Sequence, residues 1–126
     1  MMMARDDDAE LLRWLHDCKM LSLRLDAADR NTRTLILLIE CPTDLGLPAW
    51  NGRRATIVVH DLMDMNYAFH GNQIGAESID GWDQRKPSAA ECEKYGRDCR
   101  KYALGFCTGS EIELICKSVT VERGSE

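Results

Sequence analysis

Three histidines could take part in acid–base or metal chemistry near neutral pH. Two of them precede an aspartate, in the pairs His16-Asp17 and His60-Asp61, and His70 stands apart. Some metal-dependent phosphohydrolases use such a pair within a helical bundle, but the second pair here follows a run typical of a strand. Because neighbouring side chains on a strand point to opposite faces, they do not readily share one ion. We therefore interpret both pairs as chance dipeptides and expect no metal centre.

The chain also has six cysteines, at positions 18, 41, 92, 99, 107 and 116. The nearest two, Cys92 and Cys99, are too far apart for the knuckle spacing of a zinc site. The first eight residues carry no apolar segment behind their single positive charge, so we expect a cytoplasmic, reducing location without disulfides. We interpret the cysteines as small buried hydrophobic residues, with Cys92 and Cys99 on one face of a helix and Cys107 in a strand.

Carboxylates are concentrated in the middle of the chain, at Asp61, Asp64, Glu77, Asp80 and Asp83. Their spacing matches no calcium-binding loop. One interpretation is a solvated acidic rim around the loop ends. The other is a docking surface for a basic protein, in which Tyr67 and Trp82 serve as aromatic anchors.

Catalytic and ligand-binding motifs are missing from the sequence. The serines at 78, 88, 110 and 118 lack the G-x-S-x-G setting of an activated nucleophile. The formal net charge of −5 disfavours nucleic acid as a partner, since phosphate-backbone binders are normally basic. No apolar run reaches the roughly 18 residues of a membrane helix. We expect no catalytic residues, no cofactor, no nucleic acid and no membrane contact.

The elements that must position these side chains are mostly strands. Apolar residues alternate with polar ones from Lys19 to Asp26 and from Arg54 to Asp61, which is typical of half-buried strands. The segment from Arg33 to Cys41 is apolar on both faces and predicts a central strand. Further strands are predicted over Asn66 to His70 and around residues 78–79.

Two helices are predicted. A short N-terminal helix begins near Asp7, with Glu10 completing a capping box. The second is a charged surface helix over residues 88–101, capped by Ser88 with Glu91 as its reciprocal partner.

The C-terminal third predicts a hairpin, because apolar residues alternate on both sides of a turn at residues 108–110. After Cys116 the apolar phase slips by one residue, to Val119 and Val121, and we expect a β-bulge near Lys117-Ser118.

These elements predict an α+β, mainly β fold, in which an antiparallel meander forms a sandwich or curled sheet with helices at its margins. The 126 residues, of which 44% are hydrophobic and 29% charged, suit a single domain. We expect residues 1–6 and 123–126 to be frayed.

In outline, residues 15–121 resemble a group of small bacterial β-rich proteins that includes the immunity protein 50 family. The resemblance depends on Leu15-His16-Asp17 before the first strand, on residues 56–62 followed by an aromatic strand, and on the hairpin of residues 102–106 and 111–121. The charged helix over 88–101 has the character of an insertion. Members of that group are thought to neutralise partner toxins by binding, and the resemblance implies the same role here.

We therefore expect a non-enzymatic cytosolic binding protein, an immunity-type inhibitor that masks a basic partner protein through acidic loops. Two alternatives stay open. One is a small metal-dependent enzyme or metal-binding protein that uses histidines with acidic or cysteine side chains. The other is a structural subunit that forms a homo-oligomer through a sheet edge.

Overall fold

The computed structural model describes residues 11–12, 15, 18–27, 33–44, 50–68, 77–107 and 109–123. Within these ranges there are eight strands and a seven-residue helix, which we call α1, in addition to the helical residues Leu11 and Leu12. Their bounds are β1 Lys19–Ala27, β2 Arg33–Glu40, β3 Arg54–His60, β4 Asp64–Ala68, β5 Glu77–Arg85, α1 Ala89–Tyr95, β6 Arg100–Phe106, β7 Glu111–Cys116 and β8 Ser118–Arg123.

Several predictions concern residues outside these ranges. The start of the N-terminal helix at Asp7 and Glu10 lies there, although Leu11 and Leu12 are helical. His16-Asp17, His70 and the terminal residues 1–6 and 124–126 lie there as well.

The strands form two antiparallel sheets that meet at β5, in the order β4-β7-β6-β5-β1-β2-β3-β8. Sequential neighbours pair within β1-β2-β3 and within β5-β6-β7, as expected for a meander. The start of β5 pairs with β1, through Lys19 opposite Ser78, and the rest of β5 pairs with β6. The prediction of a mainly β, antiparallel fold is confirmed.

One hydrophobic core takes side chains from both sheets. In β2 the buried residues are Leu35, Leu37 and Ile39, while Ile36 and Leu38 on the other face are half-buried. The prediction that β2 is central is confirmed, but it is hidden on one face more fully than on the other. The remaining fully buried large side chains are Leu11, Leu15, Trp50, Ile57, Val59, Ile79, Leu104, Ile112 and Leu114.

Strands β4 and β5 extend beyond their predicted limits. β4 begins at Asp64, two residues before the predicted start, and β5 runs through nine residues from Glu77 to Arg85. A register shift between Ile79 and Gly81 lets β5 leave β1 and follow β6.

The capping prediction for α1 is confirmed. Ser88 Oγ accepts from the Glu91 N–H at 3.1 Å, and Glu91 Oε1 accepts from the Ser88 N–H at 2.9 Å. The predicted end of the helix at residue 101 is wrong, because Gly96 stops it with a positive φ of 105°. Cys99 therefore does not share a helix face with Cys92.

The expected bulge at Lys117-Ser118 is also wrong. Cys116 ends β7, which pairs with β4 and β6, whereas Ser118 begins β8, which pairs with β3. The slip in apolar phase marks the passage of the chain from one sheet to the other. Lys117 alone spans this passage, and its N–H donates to the His60 carbonyl at 3.2 Å.

Candidate functional site

The structure divides the predicted acidic surface into two groups. Asp61 lies in the turn after β3, and Asp64 begins β4, close to Tyr67 on the same strand. The second group lies on β5 and consists of Glu77, Asp80, Trp82 and Asp83. Because β7 and β6 separate β4 from β5, the predicted residues do not form one continuous surface.

The two predicted aromatic anchors share a cross-strand row but differ in their surroundings. Tyr67 is opposite Ile112, Ile112 is opposite Leu104, and Leu104 is opposite Trp82. Three strand spacings place Tyr67 and Trp82 about 14 Å apart on one face.

Trp82 is half-buried and packs against the core, with its ring stacked on Tyr102 at a centroid distance of 5.0 Å. Tyr67, at the end of the row, is 42% exposed. Of the two, Tyr67 has the exposure that a partner-binding anchor needs.

The exposed large hydrophobic residues are concentrated on β4. Among the described parts of the chain, three such side chains are exposed: Met65 at 36%, Tyr67 at 42% and Leu25 at 47%. Met65 and Tyr67 are two residues apart and therefore point to one face of β4. Asp64 and Asn66 point to the opposite face, and Asp64 Oδ1 accepts from the Met65 N–H at 3.0 Å.

A small cleft adjoins β4 on its β7 side. It has a volume of about 170 Å³ and is lined by Asn66, Tyr67, Glu111 and Glu113. We call the exposed residues 64–67 together with Glu111 and Glu113 the β4 surface. An aromatic ring and a thioether lie on one face of this edge, and the three carboxylates lie on the other.

Glu111 and Glu113 are held in place by Arg85 from β5. The two nitrogens of the guanidinium donate to Glu111 at 3.2 Å, and Nη1 donates to Glu113 at 2.8 Å. The hydrogen bonds to Glu111, followed by the charge of both carboxylates, raise the pKa of Arg85. This bidentate geometry orders the carboxylates at the floor of the cleft.

Lys101 extends the ionic network to the helix. Its Nζ lies 3.1 Å from both carboxylate oxygens of Glu91 and 3.6 Å from Glu113 Oε1. The hydrogen bond to Glu91 raises the pKa of Lys101. Three carboxylates and two cations make up the network, so it keeps an excess of one negative charge.

The two residues of the pair His60-Asp61, which the structure describes, lie in different environments. His60 Nε2 lies 2.8 Å from Thr120 Oγ1 across the β3–β8 ladder, whereas Asp61 is exposed in a turn with a φ of 53°. Within the described ranges, no three His, Cys, Asp or Glu side chains are grouped as a metal site would require.

The cysteines occupy three kinds of position. Burial is confirmed for Cys18, Cys41, Cys99 and Cys116, while Cys92 is half-buried. The prediction of burial is wrong for Cys107, which follows β6 in an exposed turn. Desolvation by burial raises the pKa of Cys99, and it raises that of Cys116 to about 11.

Sequence reasoning missed the residues that complete the β4 surface. Met65 precedes and Asn66 begins the strand predicted over Asn66 to His70, and neither was predicted as a binding residue. Glu111 and Glu113 were not predicted as binding residues either. A usable signal was present, since Glu111 and Glu113 are two residues apart in a predicted hairpin and so share one face. Arg85 carried no such signal, because the pairing of β5 could not be predicted.

Comparison with protein-family models, curated proteins and solved structures finds no match for this chain. None of the helices in the described segments has the length and apolar character needed to span a membrane.

Proposed function

We propose that this chain is a non-catalytic protein-binding domain that masks a basic partner at the β4 surface. The observation that carries this proposal is the clustering of Met65 and Tyr67, both exposed, on a strand at the end of the strand order. In protein interfaces, aromatic and methionine side chains supply the buried centre and polar groups form the rim.

The position of β4 in the sheet supports the proposal. Among the described strands, β4 pairs with β7 alone. The N–H and C=O groups on the other side of an edge strand offer a template for a partner strand. A strand added there brings its side chains against Met65 and Tyr67.

The charge of the surface indicates the chemistry of the partner. Asp61 and Asp64 are exposed, with Asp64 on the face of β4 opposite the two apolar side chains, and Glu111 and Glu113 line the cleft on that opposite face. The whole chain has a net charge of −5. Such a distribution attracts a lysine- or arginine-rich surface and accelerates encounter with it.

We infer the biological role from the resemblance to the immunity protein 50 family. The partner is then a toxin with a basic active-site cleft, neutralised by occlusion in the bacterial cytoplasm. We take the two sheets to pack as a sandwich, since side chains from both contribute to one core.

The experiment is affinity capture from the native host, followed by measurement of the dissociation constant with the purified partner. We expect Tyr67→Ala to weaken binding more than about tenfold, as for a central aromatic anchor. Leu25→Ala is the matched control, since Leu25 is similarly exposed but lies on β1. The control should bind like the wild type.

Equal affinities for the Tyr67 and Leu25 variants would place binding elsewhere and overturn the proposal. A stable homodimer with no captured partner would instead favour an oligomerising subunit.

A further inference from the structure

Cys18 and Cys41 face each other at the end of the β1–β2 ladder. Lys19 and Glu40 are the last paired residues of that ladder, and the cysteines are the next residues outward on each side. In an antiparallel ladder, directly opposed residues have Cα atoms about 4.5–5.5 Å apart, which lies within the range that a disulfide spans.

The two sulfur atoms are already in contact. Cys18 Sγ donates to Cys41 Sγ across 3.8 Å, and each residue is only 2% exposed. A disulfide has an S–S distance of about 2.05 Å, so each sulfur must move by less than ~1 Å.

The backbone on both sides is fixed by other contacts. The Ile79 N–H donates to the Cys18 carbonyl at 3.0 Å, and the Cys41 N–H donates to the Arg53 carbonyl at 2.9 Å. A bond between the sulfurs can therefore form by side-chain rotation while these hydrogen bonds persist.

We propose that Cys18 and Cys41 are a site of reversible oxidative modification, at which a peroxide converts the two thiols into a disulfide. The Cys41 thiolate attacks one peroxide oxygen; an S–O bond forms, the O–O bond breaks and water leaves after protonation. The Cys18 sulfur then attacks the sulfenic sulfur of Cys41; the S–S bond forms, the S–O bond breaks and a second water leaves. Two thiols are oxidised and one peroxide is reduced.

We assign Cys41 as the attacking residue because of the groups that surround its thiol. The hydrogen bond from the Cys18 thiol lowers the pKa of Cys41, even though burial and Glu40 oppose this effect. Burial raises the pKa of Cys99 and Cys116 instead. Since the thiolate is the nucleophile, Cys41 is the most reactive of these three buried cysteines.

At 2% exposure, the two sulfurs are reached by a small oxidant only when the end of the ladder opens locally, which strand ends do before the centre of a sheet. The bond would join β1 to β2 beside Ile79, where β5 passes from one sheet to the other. Oxidation at this point constrains the unfolded chain between residues 18 and 41. The inference is independent of the proposed binding function.

The test uses the purified full chain treated with hydrogen peroxide, denatured with a thiol-blocking reagent and digested with trypsin. Cleavage after Arg13, Lys19, Arg33 and Arg53 leaves Cys18 in peptide 14–19 and Cys41 in peptide 34–53. Each peptide contains one cysteine, so their cross-link identifies the bond without ambiguity.

We expect that cross-link, a fall in reactive thiols from six to four, and reversal by dithiothreitol. We also expect a rise in Tm on the order of 10 °C, since closing a loop of this length destabilises the unfolded state. Cys107→Ala is the control and should oxidise like the wild type, whereas Cys41→Ala should lose the cross-link and the rise in Tm.

Six thiols that remain reactive after peroxide treatment would overturn the inference. So would a cross-link between peptides 86–94 and 98–100, which contain Cys92 and Cys99. Both readouts are made on the wild-type protein, so they do not depend on the folding of any variant.

Discussion

The ammonium group of Lys101 lies 3.1 Å from both carboxylate oxygens of Glu91 and thereby joins the first turn of α1 to β6. The helix has seven residues and none of them is buried. Helices this short are marginal without tertiary support. The Ser88 cap therefore stabilises the helix itself, and the ion pair with Lys101 ties its first turn to the sheet.

Replacing Lys101 should destabilise the protein measurably. The Lys101 side chain is only 16% exposed, so Lys101→Met leaves Glu91 partly buried without its cation and leaves Glu113 with Arg85 alone. We expect a loss of about 1–2 kcal/mol in the free energy of unfolding, measured by urea denaturation. Arg24→Met is the control, since its ion pair with Asp26 is largely exposed and should contribute less than about 0.5 kcal/mol. Equal losses in the two variants would contradict the role of Lys101.

The Glu91 carboxylate should make the free energy of unfolding depend on pH. The Ser88 N–H and then Lys101 lower the pKa of Glu91 below its ordinary value of 4.5. Because the folded-state pKa is the lower one, this contribution is present above pH 4.5 and disappears as the pH falls through the folded-state pKa.

Glu91→Gln should therefore reduce the urea midpoint at neutral pH and flatten its decline in acid. Urea midpoints measured at a series of pH values check this expectation. Glu93→Gln, on the exposed side of α1, should keep the wild-type profile. A wild-type slope in the Glu91 variant would show that other groups dominate the acid dependence.

Any side chain at Gly96 should destabilise the protein. Its φ of 105° is unfavourable for any L residue, and an added Cβ would lie 3.0 Å from Asp98 Oδ1. Asp98 is paired with Lys117 Nζ, with both oxygens at 2.8 Å, so moving it away from an added Cβ would disturb this ion pair. We expect Gly96→Ala to cost about 1–3 kcal/mol in thermal or urea unfolding.

Gly81 provides the comparison for this substitution. An added Cβ at Gly81 meets nothing within 4 Å, and its φ is not positive. Gly81→Ala should stay within about 0.5 kcal/mol of the wild type. If both alanine variants were equally stable, backbone strain at Gly96 would not be what ends α1.

The exposed carboxylates of Asp61, beside the β4 surface, and of Asp64, within it, should act on association more than on dissociation. Neutralising two exposed carboxylates, in Asp61→Asn/Asp64→Asn, should slow binding of the purified partner about three- to tenfold at low ionic strength. The difference should shrink as salt is added, because exposed charges are screened. Stopped-flow or surface plasmon resonance measurements check both expectations; Asp26→Asn, on β1, should leave the rate unchanged. A salt-independent effect would point to direct contact at these residues and away from steering.

Local patterns predicted much of the fold. Alternation at Ala55, Ile57 and Val59 located β3, and the turn near Gly109 located the β6–β7 hairpin. The Ser88–Glu91 pattern located the start of α1, because the capping box depends on residues three positions apart. Each of these features is determined by neighbours in the chain.

Long-range pairing could not be predicted in this way. The pairs β4–β7, β1–β5 and β3–β8 join strands that are distant in the sequence, and side-chain period alone does not specify a partner strand. For that reason Arg85 was not linked to Glu111 and Glu113, and the acidic residues of β4 and β5 were grouped together. Gly96 lies inside the helix predicted over residues 88–101, although its backbone ends the helix.

The passage through Lys117 couples the two sheets mechanically. Cys116 is paired in β7 and Ser118 in β8, so only one residue connects the two strands. A connection this short does not let β8 separate from β3 without displacing the end of β7. Because neither sheet can open far without disturbing the other, we expect the backbone amides of β7 and β8 to exchange with solvent in one cooperative event.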